Sequence, residues 1–566
     1  MRMTNKIMRN NSAYNINQNK ILQDKLTNQM TTQSKIARPS DDPVVAIRAL
    51  RLRSNVTTVT QYNDKNAADA DQWLTLTADA MKTVDDVLTD LYRQATTSAD
   101  KYETSDDLRI LLTQMKQLTA EFYSCANVDY AGRYVFSGYR TDLPVTFTKE
   151  DMKEMKDHPV SYNIDESFGF QDISRISYTD YGKLRENLTG NPNGPTTAPG
   201  IDAENSYVQN VTNSTLYRFR LSYNNVDSLG TADMEGNAPK LTFTMPDGTV
   251  VEAAAPAIPS TGSFALNTTV TAGTGTAPQI VEFADQEEAY KAIADGSFNG
   301  QPFTGIAYIP SSGEMVFSKD FYEANFNEAA FNTSSSGFQV NYNKSSWKEG
   351  DINPVHYFKC IETKNTASPN DAPDLRKTAY NTQRDQGRNQ DIYYDVGYNQ
   401  QIQVNTRADE IFTHDVQRDM DDFEHYLNQL ENIETLLTDL ETKLKDYAEG
   451  SAQYKDISLR IEGAKKAQTY IRENVHTKFE NQITKYQKYQ DDSRVAMTDN
   501  ATRGSRLELI STRLTNQKAT FKELQQDNEG IDITEVAVEL TASELTYNAA
   551  LMATGKIMQT NLMNFI

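Results

Sequence analysis

Cysteine and histidine are scarce in this chain of 566 residues, and each shortage excludes a class of protein. The two cysteines, Cys125 and Cys360, are too few for a disulfide-stapled scaffold or for a zinc site built on cysteine ligands. The five histidines contain no H-E-x-x-H motif and no pair four residues apart. We therefore expect no metal and no cofactor.

Long hydrophobic runs and an excess of positive charge are missing as well. No stretch approaches the roughly 18 apolar residues of a membrane span, and the N-terminus lacks the apolar segment of a cleaved secretory signal. Acidic residues number 78 against 56 basic ones, which gives a net charge of −22 and argues against nucleic-acid binding. The sequence predicts neither a membrane nor a nucleic acid as partner.

Motifs of catalysis are also missing, since the chain has no G-x-S-x-G, no P-loop and no G-x-G-x-x-G. The acidic pair Asp421-Asp422 lies on a polar face of a predicted helix, and we expect it to be solvated. We expect His414 and His425 on the same helix to be exposed. Cys125 and Trp73 fall on apolar stripes, where we expect core packing. The interpretation is a protein that is not an enzyme.

Glycine is absent from residues 1–128, where apolar residues recur at helical spacing and Ser105 is the predicted N-cap of one helix. Between residues 145 and 404 the composition shifts to Thr, Asn, Gly and Tyr, with strand-like alternation and hairpins predicted around 246–248 and 310–313. Helical spacing returns after residue 405. The predicted fold class is multidomain α+β, with long terminal helices forming a bundle or coiled-coil stem around a central, mainly-β insertion.

Both predicted terminal helices carry apolar stripes that reach the extreme ends of the chain. Residues 1–53 hold ten basic and three acidic side chains, whereas residues 527–566 hold one basic and six acidic. Opposite charge and matching stripes predict that the two ends pair, within one subunit or between neighbours. The stripe residues are Ile7, Tyr14, Ile21, Leu22, Leu26 and Met30 at one end and Val536, Leu540, Tyr547, Leu551, Met558, Leu562 and Phe565 at the other.

Three segments resemble a known family. The loop P-S-D-D-P-V-V-A contains Pro39, Asp41, Asp42 and Pro43, and it resembles the matching stretch of the flagellar hook-associated protein 3 family within the flagellins. The segment G-R-Y-V-F-S-G at residues 132–138 and the apolar ending at 555–566 are also similar to that family, and T-R-G-S-R-L at 502–507 is a weaker match. Filament-forming flagellins typically lack the second proline, so the loop favours a junction protein. The resemblance covers about residues 1–142 and the C-terminal third.

The resemblance implies an adhesive structural subunit that joins the flagellar hook to its filament and catalyses no reaction. Its expected partners are copies of itself in a helical tube layer, the neighbouring hook-associated protein, flagellin and a flagellar export chaperone. Its expected location is extracellular, after type III export without a cleaved signal. The alternatives are a flagellin that builds the filament itself, and an adhesin or glycan-binding protein whose function lies in the β insertion.

The expected domains follow from the same resemblance. Residues 1–45 and 527–566 would form the terminal inner-tube helices, and residues 46–144 and 405–526 the helical bundle. Residues 145–404 would form the outer, mainly-β insertion, which could comprise two subdomains. The segment between Phe412 and Asn500 is longer than the single helix and connection usual in the family, so an extra helical hairpin there stays open.

Overall fold

A computed structural model shows the fold. It describes residues 5–99, 104–185, 206–228, 241–244, 250–254, 264–265, 267–270, 280–298, 300–325, 338–364, 377–381 and 390–559. The glycine-containing segments 194–200 and 273–275, which the sequence predicts to be loops, lie outside these residues. The chain forms two compact units, one from residues 1–72, 393–404 and 502–566 and the other from 73–392 and 405–501. None of the described helices combines the length and apolar character needed to cross a membrane.

Long helices occupy both ends of the chain, as the spacing of apolar residues predicts. In chain order the helices are α1 (Asn5–Thr32), α2 (Pro43–Gln61), α3 (Ala68–Ser98), α4 (Ser105–Ser124), α5 (Lys149–Asp157), α6 (Ser206–Asn210), α7 (Gln286–Asp295), α8 (Lys319–Asn325), α9 (Asp415–Leu444), α10 (Ala452–Glu529) and α11 (Ile533–Gln559). A π-helical turn, Tyr62–Ala67, joins α2 to α3.

Strands are concentrated in the middle of the chain. They are β1 (Asp129–Tyr130), β2 (Arg133–Tyr134), β3 (Val160–Phe168), β4 (Ser174–Asp180), β5 (Thr212–Arg220), β6 (Leu241–Thr244), β7 (Val250–Ala254), β8 (Phe264–Ala265), β9 (Asn267–Val270), β10 (Ile280–Glu282), β11 (Ser297–Phe298), β12 (Gln301–Pro302), β13 (Ile306–Ile309), β14 (Glu314–Phe317), β15 (Phe338–Lys344), β16 (Lys359–Lys364), β17 (Lys377–Tyr380), β18 (Tyr393–Gly397) and β19 (Gln400–Gln403). The predicted fold class, helical ends around a strand-rich centre, is confirmed.

The insertion contains two large sheets. A six-stranded sheet has the order β4-β5-β14-β13-β10-β8 and is antiparallel except where β10 runs parallel to β13. A seven-stranded antiparallel sheet has the order β17-β16-β3-β15-β6-β7-β9. The two predicted hairpins are confirmed, because β6 pairs with β7 and β13 pairs with β14 in antiparallel register.

A core rich in aromatic side chains joins the two sheets. One buried cluster contains Tyr162 and Tyr342 from the seven-stranded sheet together with Phe219 and Phe317 from the six-stranded sheet. Residues from the facing sheets therefore share one interior, as in sheet-on-sheet packing. Trp347 packs at its edge, 5.0 Å from the ring of Phe147 between ring centres.

Capping explains where α4 begins, and it corrects one prediction. The N-cap is Thr104 and not Ser105: the Thr104 hydroxyl accepts the N–H of Asp107 at 3.2 Å, and the Asp107 carboxylate accepts the N–H of Thr104 at 3.4 Å. This reciprocal pair is a capping box. The Ser105 hydroxyl instead donates to Glu434 at 2.6 Å. Trp73 and Cys125 are buried, as predicted.

Helix α10 is longer than the sequence suggests. The sequence predicts a polar, helix-forming stretch at about 454–491 and a separate apolar stripe at 507–524, but both belong to one uninterrupted helix of 78 residues. Gly504 lies inside it without a break, and a Cβ at that position would meet open space. Helices α9 and α10 follow each other in the chain across a short turn at residues 445–451.

A buried ionic cluster overturns the prediction that Asp421-Asp422 is solvated. The side chain of Asp422 is 5% exposed, and its Oδ2 accepts from Arg218 Nη2 at 2.5 Å, Arg220 Nη1 at 3.0 Å and Lys478 Nζ at 2.5 Å. Asp421 is half-buried and accepts from Arg418 Nη1 at 2.6 Å. Burial by itself would raise the pKa of Asp422, but the three cations outweigh it and hold that pKa well below its ordinary value.

The cluster is electrically balanced and links four elements of the same unit: β5, β14, α9 and α10. Four basic side chains face four acidic ones, and each group has a partner of opposite charge within 3.0 Å. They are Arg218, Arg220, Lys478 and Lys485 with Glu314, Asp415, Asp419 and Asp422. The six-stranded sheet is thereby tied to two helices of the bundle.

The prediction of exposed histidines on α9 is also wrong. His414, at its N-cap, lies among the rings of Tyr223, Tyr357 and Phe358, with ring centres 4.7 to 5.3 Å away. Burial lowers the pKa of His414 to about 3, so the ring is neutral. His425 lies beside Tyr290, and burial lowers its pKa too. Helical spacing alone could not reveal these rings, which come from segments distant in sequence.

Candidate assembly site

The two ends of the chain pack against each other in one molecule. Helix α1 runs along α11, and the Lys35 N–H donates to the Glu529 carbonyl at 2.7 Å just beyond the end of α1. Because that bond joins the end of one helix to a point just before the start of the other, the two helices are antiparallel. The prediction that the terminal helices pair is confirmed within one subunit.

The face of α11 against α1 contains small and polar residues as well as apolar ones. Val536 and Ser543 are buried there, and Leu26 of α1 is buried as well. Half-buried residues continue the row at spacings of three and four. They are Leu540, Tyr547, Ala550 and Thr554. The hydroxyl of Ser543 has no hydrogen-bond partner, so this contact buries a polar group together with its apolar ones.

The opposite face of α11 carries a second apolar row, and this one is uncovered. Val538, Leu545 and Met552 are 65%, 71% and 74% exposed, with exposed Ala542 and Ala549 between them. The spacings of four, three, four and three residues are those of a coiled-coil seam. At about 100° per residue the row lies nearly opposite the covered face. We call these five residues the outer seam.

Helix α1 also leaves apolar side chains in solvent. Ile7, Tyr14 and Ile21 are exposed at spacings of seven residues, and Tyr14 is 64% exposed. Leu22 and Met30 are exposed as well. We call Ile7, Tyr14 and Ile21 the α1 stripe. Three large apolar side chains in a row on one helix face are unusual on a surface that stays in water.

The structure thus divides the predicted stripe residues of the two terminal helices into three groups. Leu26, Val536, Leu540 and Tyr547 lie at the contact between α1 and α11. The exposed group is Ile7, Tyr14, Ile21, Leu22, Met30 and Leu551. The remaining predictions, Met558, Leu562 and Phe565, concern side chains outside the described part of the chain.

The proline-containing loop has a defined hydrogen-bond pattern. The Asp41 carboxylate accepts the N–H groups of Ala37 at 3.1 Å and Arg38 at 2.8 Å. Asp42 is the N-cap of α2 and accepts the N–H groups of residues 44 and 45 at 3.0 and 3.2 Å, while Pro43 occupies the first helical position. Aspartate at the N-cap and proline just after it are both favoured at a helix start. Both aspartates therefore shape the loop, and Pro39 and Pro43 are exposed on it.

Contacts fix α2 to the end of α10. Glu529 is buried, and its carboxylate accepts from Arg53 Nε, which lies 3.0 Å from each oxygen, and from Nη2 of the same guanidinium. The Asn528 amide donates to the Val45 carbonyl at 3.2 Å, and Lys35 Nζ donates to the Asp527 carbonyl at 3.1 Å. The loop is therefore held at both of its ends.

Sequence reasoning missed two of the exposed surfaces. Helix α11 carries two apolar rows with the same spacing, and the sequence prediction used only one of them. The outer seam is the row that it left out. On α2, Val44, Ile47 and Leu50 are exposed at spacings of three. A count of both faces of each terminal helix would have found these rows, since the spacing is present in the sequence.

Opposite charges flank the exposed rows. Lys6, Lys20 and Lys25 are exposed on α1, whereas Glu539 and Glu544 are exposed on α11. Within the described residues, no group of three His, Cys, Asp or Glu side chains is arranged to hold a metal ion. The arrangement at the chain ends is suited to packing helices together.

Paired terminal helices with uncovered apolar rows, joined to a helical and strand-rich unit, define the class of this protein: a structural subunit with helical ends. Residues 3–141 match the bacterial flagellin N-terminal helical region. In this region, about a quarter of its length, the chain is similar to the bacterial flagellins.

Comparison with solved structures gives distant likenesses. The crystal structure of Xanthomonas campestris FlgL in space group C2 is 11% identical, with 83% of this chain and 98% of that chain covered and a TM-score of 0.25. The flagellar hook associated protein-3 from Legionella pneumophila is 9% identical, with 83% and 98% covered and a TM-score of 0.20. Among curated proteins, none matches this chain.

Proposed function

We propose that this protein is the subunit that joins the flagellar hook to its filament, and that it assembles through its terminal helices. One observation carries the proposal: within a flagellin-type chain, the terminal helices keep apolar rows in solvent after they have paired with each other. Residues 1–45 and 527–566 then form the inner wall of a tube, residues 46–144 and 405–526 a surrounding bundle, and residues 145–404 an outer insertion.

Burial of the exposed rows supplies the driving force for assembly. Moving a Val, Leu or Met side chain out of water stabilises a contact by about 1.5–3 kcal/mol, so three such residues on α11 contribute several kcal/mol per copy before the cost of ordering is subtracted. A tube requires contacts between different surfaces of neighbouring copies. Each copy exposes more than one apolar row, namely the outer seam and the α1 stripe, so two different surfaces are present.

The proline loop favours the junction subunit over a filament flagellin. Pro43 at the first position of α2, with Asp42 as its cap, fixes the direction in which the helix leaves the loop. Hook-associated proteins and flagellin are the proposed neighbours, and a flagellar export chaperone is proposed to cover the C-terminal row before assembly. The chain is proposed to be exported, before it folds, by the flagellar type III apparatus.

The first test is truncation of residues 554–566. We expect the truncated protein to be missing from isolated flagella and to lose chaperone binding, while fluorescence of Trp347 shows that the insertion still folds. A matched control is Asn548→Ala, which alters an exposed polar side chain of α11. Normal incorporation of the truncated protein would contradict the proposal.

A second test separates junction from filament. The gene is introduced into one strain that lacks its junction protein and into another that lacks flagellin. Restored attachment of filaments in the first strain alone supports the proposal. Filament growth in the second strain would assign the protein to the filament instead.

A further inference from the structure

Helix α11 has two seams on nearly opposite faces, and only one is occupied within the chain. The seam that includes Val536 and Ser543 lies against α1, whereas the outer seam is exposed along its whole length. A helix with seams on both sides is suited to a position between two other helices. Among the described residues, α1 is the helix that packs along α11, which leaves the outer seam accessible to a helix of another molecule.

We propose that the outer seam of α11 receives the α1 stripe of a second copy of this chain. The inference rests on the proposed function, because it names the partner surface in the assembled tube. The two rows match in length: each spans 14 residues from its first to its last large side chain, which is about 21 Å along a helix. Both are uncovered in one copy, so neither helix must leave its own partner to form the contact.

Charge selects this pairing over contacts between identical helices. Glu539 follows Val538 and Glu544 precedes Leu545, so the outer seam has acidic residues on its two sides. On α1, Lys6 precedes Ile7, Lys20 precedes Ile21 and Lys25 follows four residues after it.

Two outer seams in contact would bring glutamates together, and two α1 stripes would bring lysines together. Contact between α1 and α11 of different copies brings opposite charges together. Exposed pairs contribute little free energy each, so their role is to select the partner while apolar burial stabilises the contact.

Disulfide trapping in assembled flagella tests the inference. Two variants, Tyr14→Cys and Leu545→Cys, are expressed together in the strain used for complementation, and isolated flagella are mildly oxidised. Positions 14 and 545 are the middle residues of their rows, so they meet whether the helices run parallel or antiparallel. The native Cys125 and Cys360 are buried, and the protein without added cysteines gives the background.

The expected result is a disulfide between position 14 of one copy and position 545 of another, identified by mass spectrometry of the digested product. A control replaces Leu545→Cys with Thr546→Cys, an exposed residue of α11 outside the outer seam, and should give several-fold less product. If Tyr14→Cys prevents incorporation, Ile7→Cys paired with Val538→Cys or Met552→Cys tests the same contact and reports the helix direction.

Each outcome distinguishes this inference from the proposed function. Incorporation with a disulfide between two copies of position 545 would overturn the inference and leave the assembly role intact. Incorporation with no disulfide for any of the pairs would also overturn it. Failure of the unmodified protein to enter flagella would overturn the proposed function itself.

Discussion

Replacement of Asp422 by Asn is the sharpest probe of how the insertion is held to the helices. The carboxylate of Asp422 contacts three cations through one oxygen, and its side chain is 5% exposed. An amide of the same size keeps the packing but leaves four buried or half-buried cations with three anions. Removing one partner of a buried ion pair costs about 3–5 kcal/mol, so we expect a loss in that range for Asp422→Asn.

The neighbouring aspartate provides a matched control. Asp415 lies on the same helix and contacts Arg220 at 2.7 Å, but its side chain is 54% exposed. Water screens that pair, and we expect Asp415→Asn to cost about 0–1 kcal/mol. The chemical change is identical in the two variants, so the difference in stability reports burial of the charge.

Urea unfolding followed by fluorescence measures the effect. The chain has two tryptophans, and a Trp73→Phe background leaves Trp347, which packs between Phe147, Tyr162 and Tyr223 in the insertion. Circular dichroism follows the helices in the same samples. Asp422→Asn should lower the midpoint of both signals, with the fluorescence change first. Equal midpoints for Asp422→Asn and Asp415→Asn would refute the reasoning.

Two further predictions concern a buried carboxyl group and a helix cap. Burial raises the pKa of Glu166 to about 7, above its ordinary value near 4.5, although Ser222 and Tyr342 donate to it. The folded state therefore binds this proton more tightly, and the contribution of Glu166 to stability is lost as the pH rises from about 4.5 to 7. Glu166→Gln should gain about 1–2 kcal/mol over wild type at pH 8 and little at pH 5, as measured by urea unfolding at both pH values. Asp42→Ala removes the cap of α2 and should lower stability by about 1 kcal/mol in thermal unfolding, whereas an unchanged transition relative to an exposed control, Ser40→Ala, would contradict the capping role.

The sequence by itself determined the elements whose causes are local. Apolar spacing placed the terminal helices, and two turn motifs placed the β6–β7 and β13–β14 hairpins. The start of α11 is local in origin too, because the carboxylate of Asp532 accepts the N–H groups of residues 534 and 535 at 2.8 and 3.2 Å. Each of these features depends on residues a few positions apart, so a pattern in the sequence contains the information.

The tertiary structure decided which faces are covered and which charges are buried. Periodicity showed that α11 is apolar, but only its packing with α1 showed that Val536 is buried and Leu545 is free. Likewise, Asp422 looked like a solvated residue because its partner Arg218 is 204 positions away. Burial depends on chain segments that meet only in the fold, and no local pattern reports which segments those are.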